Sequence, residues 1–216
     1  MMQLRIEQLV PVPLKPNLEN RHSNVWLQDV IFQPGQFIKI KAPSGSGKTT
    51  FIHLLYHLRN DYKGNIYWNQ QEQQQYNATQ LAQLRQQNIS IIFQDLRLFP
   101  NITARENIEL KRVMQQPYFP ATEISRMADA LGVTKILHQR AGICSYGEQQ
   151  RIAIIRALMQ PFNWLLMDEP FSHLDRKNTA KAAALIAEEC TKKSAGFILT
   201  DLDDDEHFSY HQTLQL

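Results

Sequence analysis

The sequence has few of the features that mark secreted or membrane-spanning chains. It contains only two cysteines, Cys144 and Cys190, which are too few for a disulfide framework and suggest a reducing compartment. No apolar run approaches the ~20 residues of a membrane-spanning helix, and the first residues lack a signal-peptide pattern. We therefore expect a cytoplasmic chain, which could still dock on a membrane protein.

Net charge and chain length bear on the class of partner and on the number of domains. The formal net charge of +2 provides no electrostatic footprint for nucleic acid, so we expect no nucleic-acid partner. No internal repeat is visible. The 216 residues are enough for a sizeable core, so we expect one domain or a core with an inserted subdomain.

A glycine-containing stretch at residues 42–50 organises the rest of the chain. It follows an alternating run at 36–41 that predicts a strand, and it precedes an apolar run at 51–58 that predicts a helix. This order is the context of a phosphate-binding P-loop. The candidate nucleotide-binding residues are Ala42, Pro43, Ser44, Gly45, Ser46, Gly47, Lys48, Thr49 and Thr50.

The residue types of this stretch suit a phosphate ligand. Gly45 and Gly47 allow backbone conformations in which successive N–H groups point at an anion, beside a helix N-terminus. Lys48 offers a charge for the β- and γ-phosphates, and the Thr49 hydroxyl can ligate Mg²⁺. Ala42 stands where the strict motif has glycine, and a positive φ there would cost about 1 kcal/mol. A turn that binds nothing would leave the Lys-Thr pair unexplained.

Strand-length apolar runs and helical patterns fill the remainder. Strands are predicted at 2–10, 25–32, 65–68, 89–93, 164–167 and 196–200. Thr103 and Glu106 form a capping-box pair, which predicts a helix start. Helices are predicted over 105–140, broken at Pro117 and Pro120, and again from Ser145 and over 177–193. These elements predict an α/β fold.

Several residues admit two interpretations. Residues 69–80 are glutamine-rich and are interpreted as a solvated loop. Trp26 could stack on a base, but a place in a sheet is favoured. The pairs His53/His57 and His207/His211 have the i, i+4 spacing of half a metal site. No third ligand is in view for either pair, so we favour ordinary structural histidines.

Two adjacent carboxylates follow the apolar run at 164–167. Asp168 and Glu169 would lie at the carboxyl end of a buried strand, where parallel sheets bind ligands. An aspartate placed there can help to hold Mg²⁺, and a glutamate beside it can orient or deprotonate an attacking water. Together with the P-loop, the pair predicts a nucleoside triphosphatase.

The order of the motifs resembles the nucleotide-binding subunit of ABC transporters. The P-loop is followed by Gln94, by the run Ser-Tyr-Gly-Glu-Gln-Gln-Arg at 145–151, by Asp168-Glu169-Pro170 and by Ser-His-Leu-Asp at 172–175. The resemblance covers nearly the whole chain. It implies a P-loop core with a mixed or parallel sheet, an N-terminal antiparallel β part and an inserted helical subdomain. In a single domain of residues 1–216, the core would be 1–93 with 161–216, and the helical subdomain would be 94–160.

The resemblance also implies roles for particular residues, with ATP and Mg²⁺ as ligands. Lys48, Gln94 and Glu169 would be catalytic, and Thr49, Gln94 and Asp168 would hold the metal. Ser145, Gly147 and Glu148 would form the signature that caps ATP bound to a second cassette. Asp175 would lie between the two sites.

The implied partners are a second cassette, identical or different, and a membrane-spanning permease. Residues 97–106, with Leu98 and Phe99, would face the permease and hold the chain at the cytoplasmic side of the membrane. The short length is similar to the ATPases of lipoprotein-release and macrolide-export systems.

The sequence departs from the family pattern at several places. Cys144 and Tyr146 replace the usual leucine and first glycine of the signature, and Asp201 stands where a switch histidine follows the last core strand. No aromatic residue clearly takes the adenine-stacking place. ATP binding is therefore better supported than fast hydrolysis, and a low-turnover regulatory or degenerate cassette is the alternative. A second rival, a soluble ABC-type protein of DNA repair or translation, is not supported, because this sequence shows no long heptad arm, no second cassette and no basic stripe.

Overall fold

The computed structural model describes residues 2–18, 22–114, 117–202 and 204–216, and their strands form two sheets. The strands are β1 (Leu4–Pro11), β2 (Val30–Phe32), β3 (Phe37–Lys41), β4 (Tyr62–Trp68), β5 (Gln71–Glu72), β6 (Ile89–Ile92), β7 (Trp164–Asp168), β8 (Gly196–Asp201) and β9 (Gln212–Gln215). One sheet is antiparallel, in the order β2-β1-β4-β5. The other is parallel, in the order β6-β7-β8-β3-β9.

The parallel sheet places the candidate site. Its strands β6 and β7 are buried along their whole length, which explains their continuous apolar sequences. Because parallel strands end at the same edge, the P-loop after β3 lies near the residues that follow β6 and β7. The strand β9, which the sequence analysis did not predict, extends this sheet by pairing with β3.

Helices follow most of these strands. They are α1 (Lys15–Leu18), α2 (Lys48–Leu55), α3 (Ala78–Gln87), α4 (Ala104–Val113), α5 (Thr122–Ala130), α6 (Tyr146–Leu158) and α7 (Arg176–Lys193), with 3-10 turns at Val12–Leu14, Gln73–Gln75, Thr134–Ile136 and Ala141–Ile143. The capping box predicted at Thr103 and Glu106 is confirmed, and Ser145 with Glu148 forms another. The helix after the P-loop begins at Lys48, three residues earlier than predicted.

The predicted α/β class is confirmed, since an antiparallel sheet and a parallel P-loop sheet are both present. One buried cluster joins α4, α5, α6 and α7 to one face of the parallel sheet, and another joins α2 to the antiparallel sheet. Within the described ranges, no helix is long and apolar enough to cross a membrane. The division into a core and a helical subdomain at 94–160 stays a prediction.

The predicted strand at 25–32 is wrong over its first half. The Ser23 hydroxyl accepts hydrogen bonds from the backbone N–H groups of Val25 and Trp26, at 3.0 and 2.8 Å, and so holds a turn. Leu27 then has a positive φ of 58°. Only Val30–Phe32 forms a strand. Local hydrogen bonding has overridden the β propensity of the sequence.

The predicted solvated loop at 69–80 is mostly exposed, as expected, but it is not a loop. It contains β5, a 3-10 turn and the start of α3. The Gln73 side chain is completely buried, where it accepts a hydrogen bond from Trp68 Nε1 (2.9 Å) and donates one to the Leu54 carbonyl (2.8 Å). A buried amide with both functions paired is stable in a core, although its composition suggests solvent exposure.

Candidate functional site

The P-loop links β3 to α2 in a conformation that its glycines permit. Gly45 and Gly47 have φ values of 75° and 103°. A Cβ added to Gly47 would lie 2.7 Å from Cδ1 of Leu14, the movable end of a side chain, so it is mainly the backbone conformation that requires glycine there. Ala42 is not among the positive-φ residues, so its departure from the motif causes no backbone strain.

Lys48 lies at the centre of the site. Its side chain is buried, and its ammonium donates to the carbonyl oxygens of Ala42 (2.9 Å) and Pro43 (3.2 Å). The same ammonium lies 3.2 Å from Oε1 of Glu169. The structure thus brings the P-loop lysine and the glutamate at the end of β7 into direct contact, although they lie 121 residues apart in the sequence (169 − 48).

A short hydrogen-bond chain joins the other predicted residues. The Thr49 hydroxyl donates to the side-chain oxygen Oε1 of Gln94 at 3.3 Å. The side-chain nitrogen Nε2 of Gln94 in turn donates to Oε2 of Glu169 at 3.1 Å. Glu169 itself has a positive φ of 45°, and its N–H donates to the Thr200 carbonyl (3.0 Å). A non-glycine residue in this conformation is strained, and such strain concentrates at functional sites.

Asp168 presents an unpaired carboxylate oxygen. The residue is only 1% exposed, and Oδ1 accepts a hydrogen bond from the Thr200 hydroxyl at 2.9 Å. Oδ2 is buried and has no hydrogen-bond partner among the described residues. A buried carboxylate oxygen without a donor is costly, and a divalent cation would satisfy it. Together with the Thr49 hydroxyl and the Gln94 carbonyl oxygen, the donor set fits the oxygen ligands of Mg²⁺.

Two neighbouring cavities contain these side chains. One of about 250 Å³ is lined by Leu14, Ser44, Gly45, Gly47, Lys48, Thr49, Thr50, Gln94 and Glu169. The other, of about 350 Å³, is lined by Thr49, His53, Gln94, Asp95, Tyr146, Asp168 and His173. The two share Thr49 and Gln94, which are two of the three predicted metal ligands, and the third, Asp168, lines the second cavity. Ala42 and Ser46 are buried beneath the loop, and Pro43 lines a separate hollow.

The predicted signature residues lie outside both cavities. Ser145 caps α6, and Oε2 of Glu148 accepts hydrogen bonds from the Ser145 hydroxyl and N–H, both at 2.8 Å. These bonds hold the pKa of the Glu148 carboxyl below its usual value. A Cβ on Gly147 would approach the His173 carbonyl oxygen to 3.1 Å. Ser145, Gly147 and Glu148 are therefore not among the residues that line either cavity, whereas Tyr146, which lies between them in sequence, lines the second.

Tyr146, the unusual residue of this segment, packs on the loop that follows β7. Its ring centroid lies 4.2 Å from that of His173, with the planes tilted by 49°. Both residues are exposed and line the cavity that also contains Asp168. The added bulk of Tyr146 therefore has a defined position in the cavity that Asp168 also lines.

The segment after β8 brings no histidine into the two cavities. Asp201 ends β8, and its carboxylate accepts a hydrogen bond from the Leu202 N–H (2.7 Å), while burial raises its pKa. Lys39 and Lys41 of β3 form ion pairs with Asp205 and Asp204. These pairs attach the acidic segment to the strand that precedes the P-loop.

His207 lies in a different place. Its ring centroid is 5.5 Å from that of Phe171, and it lines a hollow with Arg176 and Ala180. It is therefore not one of the groups that surround Lys48 and Glu169 in the described structure.

Some lining residues carried no recognisable signal in the sequence. Leu14 belongs to a proline-containing turn, and only the approach of this turn to Gly47 brings it over the P-loop. His53 was treated as an ordinary helical histidine, yet it faces the second cavity, where burial lowers its pKa. Trp26, a candidate for base stacking, is buried edge-on against Phe51, at 5.5 Å between centroids, and is not available to a base.

Comparison with known families agrees with this geometry. The model of the family described as "ABC transporter" matches residues 28–172, which is more than half of the chain. The chain belongs to the ABC transporter family. The matched region includes the P-loop, Gln94, the signature segment and Asp168-Glu169, which are the residues that the structure arranges around the two cavities or at the end of α6.

Individual ABC proteins are similar over most of this chain. It is 32% identical over 179 residues to a macrolide export ATP-binding/permease protein, MacB, of Marinobacter nauticus, covering 82% of this chain and 28% of that protein. It is 30% identical over 181 residues to a lipoprotein-releasing system ATP-binding protein, LolD, of Idiomarina loihiensis, covering 82% of this chain and 79% of LolD. The chain thus spans only about a quarter of the MacB protein that it matches.

Solved ABC structures share the fold. A dimeric structure of the ATP-binding cassette MJ0796, in a post-hydrolysis state bound to ADP and Pi, matches with a TM-score of 0.77. The identity is 23%, and the match covers 93% of this chain and 88% of that one. At this identity the likeness establishes the ABC cassette fold of the chain.

Proposed function

We propose that the chain is the ATP-binding and ATP-hydrolysing subunit of an ABC transporter, that it dimerises on ATP and that it drives a membrane-spanning permease. The observation that carries the proposal is the convergence of Lys48, Thr49, Gln94 and Glu169 on one cavity, beside the unpaired oxygen of Asp168. It would lie at the cytoplasmic face of the membrane, held there by the permease.

The contacts of these residues suggest how each would act on ATP. Lys48 would exchange its carbonyl and Glu169 contacts for the β- and γ-phosphate oxygens, which are stronger acceptors. The P-loop N–H groups and the start of α2 would hold the same phosphates. Thr49, Gln94 and Asp168 would hold Mg²⁺, which supplies positive charge to the phosphate oxygens when bound.

Glu169 is the proposed general base. It would accept a proton from a water whose oxygen bonds to the γ-phosphorus, while the bond from that phosphorus to the β,γ-bridging oxygen breaks and yields ADP and inorganic phosphate. The hydrogen bond from Gln94 fixes the orientation of its carboxylate. When Lys48 binds the phosphates instead of Glu169, the Glu169 carboxylate would be free to act on water.

A second cassette would complete each site. Ser145, Gly147 and Glu148 line neither cavity of their own chain, which supports a role against ATP held by the opposite protomer. Asp175 caps α7 by accepting a hydrogen bond from the Asn178 N–H (2.7 Å), at the end of the loop that carries His173. The partner cassette is either the same chain or a different one in this scheme, and the proposed contacts are the same in both cases.

The alternative, a nucleotide-binding subunit with low turnover, has specific support. Asp201 occupies the end of β8, and its carboxylate and the Tyr146 ring add negative charge and bulk near the site. A carboxylate is repelled by a triphosphate. Both functions begin with Mg-ATP binding, so a rate measurement separates them.

We expect slow hydrolysis, on the order of 1 s⁻¹ or less. A positioned acid–base or electrostatic group contributes about 10²–10⁴ in rate, and no histidine supplies one after β8. Steady-state phosphate release should therefore change little in His207→Ala and rise in Asp201→His. An inactive but folded His207→Ala variant would show that this histidine acts in the reaction and would refute the slow-enzyme interpretation. Absence of both ATP binding and phosphate release would refute the proposed function itself.

Phe99 is the proposed apolar contact for the permease. Its side chain is 59% exposed, while the buried Asn107 amide holds its backbone, accepting from its N–H (2.8 Å) and donating to its carbonyl (3.0 Å). Leu98, predicted with it, is partly buried against the core. An apolar side chain displayed on a fixed backbone suits an interface anchor.

We expect Phe99→Ser to weaken the complex with the co-expressed permease by about tenfold or more, since truncated anchors cost about 2 kcal/mol. ATP binding should stay unchanged because Phe99 lines neither cavity. Ile31→Ser, at an exposed position of β2, is the matched control. Leu98→Ser is expected to lower the melting temperature through lost packing. Equal co-purification of Phe99→Ser and the control would argue against this surface.

A further inference from the structure

Three cationic side chains, on α3, α4 and α6, have no carboxylate ion-pair partner among the described residues. Arg85 donates through Nη2 to the carbonyl oxygens of Tyr56 (3.0 Å) and His57 (2.8 Å). Arg156 donates to the carbonyl oxygens of Leu96 and Arg97. The side chain of Lys111, on α4, takes part in none of the hydrogen bonds or ion pairs found within the described ranges. We call Arg85, Lys111 and Arg156 the cationic cluster.

The charges of Arg156 and Arg85 both affect Lys111. Burial, followed by the charges of Arg156 and Arg85, lowers the pKa of Lys111 to about 8. Burial also lowers the pKa of Arg156 to about 10, against the opposing effects of Tyr56 and Asp95. Asp95 is already engaged by Arg97 at 3.2 Å. Positive charge is thus withdrawn from water here without a dedicated counter-charge, which costs stability in the isolated chain.

The cluster is still reachable from outside. Arg85, Lys111 and Arg156 are each half-buried, so their surfaces are not sealed by the fold. Aromatic rings accompany them: the Arg85 guanidinium lies 5.0 Å from the Tyr56 ring centroid, and that ring meets Phe93 edge-on at 6.1 Å. A half-buried cationic patch that lies beside aromatic rings can bind the carboxylate of an acidic side chain while the rings contact its apolar methylene groups.

The cluster also adjoins the surface already proposed for the permease. The carbonyl groups that Arg156 binds belong to Leu96 and Arg97, which directly precede Leu98 and Phe99. Arg156 therefore supports the backbone that displays Phe99. Both features would be covered by one partner.

We propose that the cationic cluster is a docking site for the carboxylate of an aspartate or glutamate on a cytoplasmic segment of the permease. The inference rests on the proposed function and adds the chemistry of the contact. A carboxylate would pair with the Lys111 ammonium, which has no partner among the described residues, while Arg85 and Arg156 keep their carbonyl bonds and add favourable charge. Desolvated pairs of this kind fix the register of an interface.

Lys111→Met tests the proposal, because methionine keeps the length of the side chain without its charge. The probes are synthetic peptides that cover the cytoplasmic loops of a candidate permease, chosen as a multi-span membrane protein whose gene adjoins that of this chain. We expect an acid-containing peptide to bind Lys111→Met roughly ten- to a hundredfold more weakly than the parent. Lys181→Met, at an exposed position of α7, is the matched control and should bind like the parent. Replacing the peptide's acid by its amide should abolish the difference between the variants.

The other outcomes are decisive too. Equal affinity of Lys111→Met and Lys181→Met for every peptide and for the whole membrane protein would overturn the inference while leaving the proposed function intact. Lys111-dependent binding of inorganic phosphate, with no peptide bound, would identify a free-anion site and overturn it as well. Failure of the parent to bind either the peptides or the whole membrane protein, with ATP hydrolysis intact, would count against the proposed transport partner itself.

Thermal unfolding provides a measurement without any partner. At pH 7 Lys111→Met should melt a few degrees above Lys181→Met, because it removes an uncompensated buried charge. The folded-state pKa of Lys111, about 8, lies below its ordinary value of 10.5. The unfolded chain therefore binds more protons between these values, and the stability of the parent rises with pH there. The difference in melting temperature should shrink over this range, and a constant or absent difference would contradict an uncompensated Lys111.

Discussion

Glu169→Gln is expected to lower ATP turnover by about 10²–10⁴-fold, the usual contribution of a general base. Glutamine retains an oxygen that can accept the Gln94 hydrogen bond, now 3.1 Å long, but it cannot take a proton from water. Mg-ATP binding should persist, since the change removes a negative charge that lies 3.2 Å from Lys48. Phosphate release and nucleotide titration measure the two effects separately.

The same variant should accumulate as an ATP-bound dimer, because hydrolysis is the step that releases the two protomers. Size-exclusion chromatography with Mg-ATP detects this state. Glu72→Gln, in the antiparallel sheet and outside both cavities, is the matched control and should behave like the parent. A Glu169→Gln protein that stays monomeric with ATP, or hydrolyses at the parent rate, would remove Glu169 from the proposed mechanism.

Lys48→Ala is expected to weaken ATP binding by roughly ten- to a hundredfold, since a charge-assisted contact is worth about 1.5–3 kcal/mol. The ammonium is the only side-chain cation that lines the P-loop cavity in the described structure. Its removal would also leave Glu169 without its ion pair beside the incoming phosphates. Both changes act against a bound triphosphate.

Titration calorimetry with Mg-ATP measures this effect. Lys63→Ala, at an exposed position of β4, is the control for loss of a lysine elsewhere. Circular dichroism should show that Lys48→Ala remains folded, because Lys48 makes its contacts with the loop and Glu169 and not with the core. An unchanged dissociation constant in the folded variant would exclude Lys48 as a phosphate ligand.

Features that depend on residues close together in the sequence were predictable from the sequence alone. The P-loop, the capping box at Thr103 and the break between α4 and α5 were predictable because each depends on residues within a few positions. Glycine at positive φ and a side-chain cap leave a contiguous pattern. The strand that ends in Asp168 was also readable, since a strand buried on both faces has a continuous apolar run.

The missed features depend on partners that are distant in sequence. Gln73 looks solvated until Trp68 and Leu54 pair with its amide, and β9 is a strand because β3 offers it an edge. The turn at Ser23 has a local cause instead: hydrogen bonds to the Ser23 hydroxyl prevent the following β-forming residues from joining a strand. Tertiary context decides such segments because their own propensities differ by only about 1 kcal/mol.

The features of the candidate site fall into the same two groups, those that a local pattern predicts and those that only the fold creates. The sequence by itself determined which residues carry the chemistry: Lys48 and Thr49 by the P-loop pattern, Asp168 and Glu169 by the strand end. Only the tertiary structure decided that Gln94 links Thr49 to Glu169, that Asp168 keeps one oxygen unpaired, and that His207 lies elsewhere. It alone also revealed the cationic cluster, since Arg85, Lys111 and Arg156 belong to separate helices. Burial and charge compensation depend on which groups the fold brings together, and no spacing along the chain encodes that.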